Sequence, residues 1–377
     1  MKFLLATLAF SFQVSIQAET LSIPKIFEDG EVAEAADFNQ NFEYLRNQID
    51  SNASWLNRDL EGAKEVNVDC SDDPDALRLA YQKNSHVRTI AFYVTGACFG
   101  ALNYIPVLGE DGTTSWGFIS PPGQAFMIAS DKNASSKVTI IPRSAHGLEK
   151  AYLGTTYGGA MSLQRVDITM GADDNFGVLI YTGSTAEINS ISVNGSGNNP
   201  LGIDVVDGSV LQLSGDSEVK GVRQAIRVKN NSLVRNKGTI HAEGKVHALA
   251  LDGSGWVDDD NVGQVGHTHL DGSLFMENRA LATLNALLVG AKIRILSASK
   301  ANINYFGSLR FEAEVELSSS GLTIVTGTGG NSNYDISRFS CYGMSELNIE
   351  NLDVRNQGGK NCLDDTAWNT VINATFP

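Results

Sequence analysis

The 377-residue chain carries 28 Lys+Arg against 43 Asp+Glu, a formal charge of −15, with 37 Gly and 8 Pro. Such an acidic surface repels phosphate backbones and anionic bilayers, which argues against a nucleic acid partner. Beyond the N-terminus no run of about 18 apolar residues occurs, so no membrane insertion is expected.

In chain order, residues 1–18 read MKFLLATLAFSFQVSIQA: one Lys, an apolar stretch and a small-residue end at Ala18. That is the pattern of a secretory signal cleaved near Ala18, and it predicts a secreted or cell-surface protein, extracellular or periplasmic. Loss of Lys2 with it makes the mature chain one unit more negative. Residues 19–62 contain Ala35, Phe38, Phe42, Leu45, Ile49, Asn52 and Leu56 at steps of three and four. This is a coiled-coil seam, with 35, 42, 49 and 56 at a and the others at d, and it predicts a trimerisation stalk. One amphipathic helix packed on the body is the alternative reading.

Residues 63–105 read as an N-terminal cap of strand, helix and strand: VNVDC, a helix from Pro74 to about Lys83, then TIAFYVTG. An amphipathic helix there would close the open end of a solenoid. The four cysteines, Cys70, Cys98, Cys341 and Cys362, read as two bridges in an oxidising compartment. Local pairing, 70 with 98 and 341 with 362, is the simplest of three connectivities.

The body, residues 106–335, repeats. GVLIYTGST (177–185), GIDVVDGSV (202–210), AIRVKNNSL (225–233) and ALALDGSGW (248–256) align on Ser184, Ser209, Ser232 and Gly255, and FMENRALA (275–282) continues the series on Ala280. A second register aligns SISVNG, SEVKG, TIHAEG and HTHLDG on Gly195, Gly221, Gly244 and Gly272. Two alternating strands per turn and a period of about 23 to 28 residues predict a parallel β-helix, with about eight to ten rungs between 87 and 350. A β-sandwich competes, but its strands do not recur in one fixed register. TGTGGNSN (326–333) reads as a loop leading to a C-terminal cap, residues 336–377.

Two resemblances follow from these stretches. IPKIFEDGEVAEAADFNQNFEYLRNQI (24–50) resembles the segment that opens trimeric phage tail-fibre and bacterial surface proteins, which implies a homotrimer. The repeats resemble the right-handed, pectate-lyase-like family. The expected fold is therefore all-β, a right-handed parallel β-helix with an N-terminal coiled-coil helix and a helical cap.

A β-helix turns repeats into columns about 4.8 Å apart. In the first register Val178, Ile203, Ile226 and Leu249 point inward, as do Ile180, Val205, Val228 and Leu251. Outward, Asp204 is expected beside Arg227 and Lys229 beside Asp252, with Tyr181 in the same row. In the second register His269 is expected to stack on His241 and Glu218, and Asp271 on Glu243 and Lys220; His267 extends the face. If AKIRILS (291–297) continues that register, Arg294 lies above His269.

Catalytic candidates, should the protein be an enzyme, are therefore Glu218, His241, Glu243, His269 and Asp271, acting as acid and base on a polysaccharide. Ligand-binding candidates are Tyr181, Arg227, Lys229, His267 and Arg294. A divalent metal such as calcium is weakly suggested by Asp258-Asp259-Asp260, which reads more simply as a solvated acidic turn; neighbours in a ladder stay parallel and do not converge on an ion. No cofactor is expected. A polar ladder without chemistry, or a trimer contact, is the simpler reading of the same columns. Trp116, Trp256, Trp368 and Tyr181 would stack on sugars if exposed.

The catalytic motifs of polygalacturonases do not carry over: Asp173-Asp174, Arg227-Val228-Lys229 and Gly266-His267 stand in the wrong order. Regular T-x-T ladders of an ice-binding surface are also missing. Two functions remain, a non-enzymatic binder of polysaccharide or cell-surface glycan, and a tailspike-like polysaccharide lyase or glycoside hydrolase.

Overall fold

The computed structural model describes residues 61–350, except 85, 101–102, 109–113, 121–122, 131–136, 146–147, 262–263, 290–291, 306–310, 327–333 and 343–345, and also Val371–Ala374. The expected signal peptide and almost all of the stalk lie outside the described residues. So do Cys362, Trp368, and the side chains of Cys341, Trp116 and Asp260.

The described chain is a parallel β-solenoid of about 8 turns. Both aligned registers are present as parallel ladders. Val178, Ile203, Ile226 and Leu249 pair in series, as do Ser192, Glu218, His241 and His269. Inward aliphatics of successive rungs form one continuous core, with Ile180, Val205, Val228 and Leu251 fully buried. Each rung buries its apolar face only against its neighbours, so the stack supplies the core that no single turn could.

Each turn has three faces, not the two expected. The first sheet holds Phe176–Tyr181, Leu201–Val206 and their successors. A second holds Val210–Ser214, Leu233–Asn236 and Gly255–Asp258. The third holds the His267–Asp271 strand and its neighbours. Second-sheet strands were hidden because LVRN and GWVD each bury one apolar side chain, Val234 or Trp256, and alternation over four residues is barely visible. Long strands hide it too: Thr185–Asn194 runs through the second and third sheets, bending at Ser190 with φ 59°. Asp216–Lys229 and Thr239–Asp252 run from the third sheet into the first. At that corner Gly221 has φ +70°, and a Cβ would strike the carbonyl of Gly195.

The corner between first and second sheets repeats most faithfully. Two left-handed residues, Thr182-Gly183, Asp207-Gly208 and Asn230-Asn231, precede a buried serine, Ser184, Ser209 and Ser232. Ser184 Oγ donates to Tyr181 O and Ser209 Oγ to Val206 O, both at 2.7 Å. Asn230 Nδ2 donates to Asp207 Oδ1 at 2.6 Å, the short polar stacking expected of this turn. On the next rung Leu233 pairs with Gly255, so the buried position falls to Ser254 and not to Gly255. That corner is one residue shorter, which the ungapped alignment did not allow.

Helix Ala76–Lys83 lies between the paired strands Glu61–Asp69 and Val87–Thr95, and buries Leu77 and Tyr81 in the core. Cys70 and Cys98 form the expected bridge. Parallel strands continue through Tyr334–Tyr342, Glu346–Glu350 and Val371–Ala374. Among the described residues no helix is long and apolar enough to cross a membrane.

Candidate functional site

Polar side chains gather on the outer faces of two sheets. On the third, His241 and His269 pair across adjacent strands with ring centroids 4.7 Å apart, tilted by 53°. Glu243 pairs with Asp271 and Thr239 with His267. Glu218 lies beside His241 and accepts from Lys220 Nζ at 2.8 Å. The five catalytic candidates thus share one face, as the columns required. Burial and the neighbouring His241 lower the pKa of His269, against an opposing pull from Asp271. His269 is therefore held neutral near pH 7, able to accept or donate one hydrogen bond at each ring nitrogen. No group of three or more His, Cys, Asp or Glu placed to hold a metal occurs among the described residues.

Arg294 does not lie above His269. Leu287 pairs there instead, and Arg294 pairs with Phe275 on the first sheet. The strand Leu281–Val289 supplies both the second and third sheets of its turn, so AKIRILS opens the next turn on the first sheet. Of the five ligand-binding candidates, Tyr181, Arg227, Lys229 and Arg294 thereby fall on one face, and His267 stays on the other.

On that first face Arg227 grips Asp204 through Nε at 2.9 Å and Nη2 at 2.7 Å, and the hydrogen bond holds the guanidinium firmly protonated. Lys229 Nζ lies 3.3 Å from Asp252. Ala250 pairs on one side with Arg227 and on the other with Phe275, leaving a flat step between a cation and a ring. His247 stacks on Phe275 at 5.0 Å and 23°, and the Arg294 guanidinium sits 5.8 Å from the centroid of the same ring. Arg294 is itself held by Glu316 at 2.8 Å. Burial, with Arg294 nearby, lowers the pKa of His247. Its Nδ1 is 2.6 Å from Ser273 Oγ, which donates to Val246 O. Because that hydroxyl is already committed to a carbonyl, the pair is not an activated nucleophile.

Next to Arg227 the first face holds a notch of about 170 Å³ lined by Pro200, Leu201, Arg223, Gln224, Arg227 and Val246. Gln224 Oε1 is buried there without a hydrogen-bond partner. Arg223 and Val246 are exposed at its rim. His247, Phe275 and Gln224 were missed in the sequence. His247 and Gln224 stand one residue before the aligned segments begin, and Phe275 opens FMENRALA, a segment placed only by its Ala280.

Two of the remaining acids, Asp258 and Asp174, are interior. Asp258 is 2% exposed, so the acidic triplet is not a solvated turn there. Its carboxylate accepts from Asn236 Nδ2 and Trp256 Nε1, each at 2.9 Å, from Thr268 Oγ1 at 2.7 Å and from Asn285 N at 2.7 Å. Burial raises its pKa against the opposing hydrogen bonds. With its oxygens taken by protein donors, it is not placed to hold calcium. Trp256 is fully buried and cannot stack on a sugar. Asp174 is buried as well, accepting from the amides of Ala151 and Gly171 at 2.7 and 2.8 Å.

Comparison with protein-family models, with curated proteins and with solved structures finds no match to the chain.

Proposed function

We propose that the protein is an exported, homotrimeric, pectate-lyase-like β-helix that binds an extracellular or cell-surface polysaccharide along its first face without cleaving it. The observation that carries this reading is the notch at Gln224. A buried acceptor left unmet costs about 1–3 kcal/mol, so a turn of the Gln224 side chain that brings Oε1 into the notch to meet a donor from outside the chain is favoured. A sugar hydroxyl supplies one. Arg227 uses Nε and Nη2 on Asp204 and keeps its remaining N–H groups for an incoming oxygen in a fixed orientation. The His247–Phe275 pair, on the next two strands along, offers a flat surface to a second sugar ring. Export is supported by the N-terminal pattern and by the Cys70–Cys98 bridge.

The test is a glycan array on the intact chain, repeated with Gln224→Leu and Arg223→Ala. Gln224→Leu removes the unmet oxygen, so the fold should be as stable as before or more so. Binding should weaken about tenfold, near 1.4 kcal/mol. No glycan bound, or unchanged binding in both variants, overturns the reading.

The second reading, a tailspike-like lyase or hydrolase, draws on the close His241–His269 pair flanked by Glu218, Glu243 and Asp271. Depolymerisation assays on uronate-rich and bacterial surface polysaccharides, with His241→Ala and Glu243→Gln, decide it. Activity unaffected by both variants rejects these residues as the catalytic site.

A further inference from the structure

Charge is not spread evenly around the notch at Gln224. The strand Asp216–Lys229 places Arg223 on the rim, and the next strand of the stack, Thr239–Asp252, carries Lys245 immediately before Val246 of the same rim. Both are exposed, and neither enters an ion pair among the described residues. The carboxylates closest to them in sequence, Glu218 and Glu243, stand on the third face, where Lys220 bonds the first and lies near the second. On the first face Asp204 is covered by Arg227, and Asp252 meets Lys229. In so acidic a chain, two cations left uncompensated at one corner mark a place where negative charge can be received.

The corner that presents these cations is held from within. Asn199, 1% exposed, accepts from Ser196 N at 2.8 Å and donates to Gly171 O at 2.8 Å and to Asp174 O at 3.0 Å. Its own carbonyl accepts from Arg223 N at 2.9 Å, which fixes where Arg223 leaves the backbone. Two residues before Asn199, Gly197 O accepts from Lys245 Nζ at 2.9 Å, a reach across two turns of the solenoid. Gly197 has φ +86°, and a Cβ there would lie 2.7 Å from Nζ, so the missing side chain is what lets the ammonium settle at the corner. An ammonium has three N–H donors, which leaves Lys245 two for a ligand. The guanidinium of Arg223 has five, none of them used by another described residue.

We infer that the glycan held on the first face is anionic, with a carboxylate or a sulfate ester of one sugar seated at Arg223 and Lys245 while a hydroxyl of the same ligand meets Gln224. The inference rests on the glycan-binding reading of the notch and adds the chemical class of what binds there. The planar fork of Arg223 matches two oxygens of one anionic group, and Lys245 adds a point charge from the neighbouring turn. A neutral hydroxyl gains little from two cations, whereas an anion forms hydrogen bonds charged on both sides, roughly twice as strong as neutral ones. Because the corner is already ordered by Asn199 and Gly197, little freedom is lost when the ligand arrives. Attraction at this corner is local, and the net negative charge of the rest of the chain opposes it only at longer range.

The experiment measures binding of the full chain to four probes: a polyuronate oligomer, the same oligomer with its carboxyl groups reduced to alcohols, dextran sulfate and dextran. The variants are Lys245→Met, which keeps the stem and removes the charge, Arg223→Gln, and Lys300→Met as a control on the second face. Each makes the chain one unit more negative, so a difference between them reports position and not net charge. At least one anionic probe should bind about tenfold tighter than its neutral counterpart, and lose that margin as salt rises from about 0.05 to about 0.5 M. Its binding should weaken about tenfold in Lys245→Met and in Arg223→Gln, and stay unchanged in Lys300→Met. Which of the two anionic probes binds identifies the substituent. Binding to neither, neutral probes bound as tightly as anionic ones, or losses that fall equally on both or are matched by Lys300→Met, overturn the anionic class. If Gln224→Leu still weakens binding to a neutral glycan in that case, the glycan-binding reading stands without it. A chain that binds no glycan of any kind overturns both.

Discussion

The strand His267–Asp271 separates two polar groups that lie within a few residues of each other and behave in opposite ways. On its outer side His267, His269 and Asp271 stand in open ladders, each beside a counterpart on the neighbouring strand. On its inner side Thr268 is buried and gives its hydroxyl hydrogen to Asp258, which three further donors also hold. Outside, water can replace any partner, so a side chain is free to meet a ligand and contributes little to the fold. Inside, four donors converge on one carboxylate. The same alphabet of His, Asp and Thr thus yields a surface that tolerates change and a joint that does not.

The largest expected effect lies on the inner side. Asp258→Ala leaves Trp256, Thr268 and the Asn285 amide without their acceptor and Asn236 Nδ2 with only the longer bond to His267 O, and should cost about 4 kcal/mol. Thr268→Val, which removes one donor, should cost about 1–2 kcal/mol. Denaturant unfolding measures both, and a loss below about 1 kcal/mol for the first would break the contrast.

Acidity probes the boundary between the two regimes. The pKa values of His247 and His269 are lowered, chiefly by burial, so folding keeps both neutral. Their contribution to stability is present above the unfolded value of about 6.5, and is lost as pH falls through the lower folded values. The melting temperature should therefore fall on acidification from pH 7 to 5, and less steeply in the double variant His247→Gln, His269→Gln. A profile of equal slope in that variant would show that other groups set the response.

The smallest effect is expected on the outer ladder itself. Glu218 and Lys220 are each 45% exposed, and Glu218→Gln should change stability by less than about 0.5 kcal/mol. A loss above 1 kcal/mol would mean that the ladder supports the fold as well as facing solvent.

Much of the architecture was legible because inward aliphatics recur at period two and glycines mark their ends. Val178, Ile203, Ile226 and Leu249 align directly, and the pairings Asp204–Arg227 and Lys229–Asp252 follow from that register, as His241–His269 follows from the glycine-marked one. Depth was not legible. Asp258 opens a run of three acids, which by composition belongs in water, and its donors come from positions 236, 256, 268 and 285 on separate strands. Arg294 was misplaced for a related reason: Leu281–Val289 serves two sheets without a turn residue between them, so the count of rungs slipped. Gln224 shows nothing in sequence, because an unmet acceptor is defined by what surrounds it.

The serine corner has a consequence for how such a chain can vary over time. Ser184, Ser209, Ser232 and Ser254 hold the same buried position although successive turns differ in length. Apart from the one residue lost before Ser254, additions and losses are taken up elsewhere, as between Asp258 and Gly266, where an antiparallel excursion through Asp260–Asn261 and Gln264–Val265 leaves the stack and returns to it. One edge thus works as a keel, and heritable change in loop length can accumulate on the opposite side without moving the surface that meets the outside world.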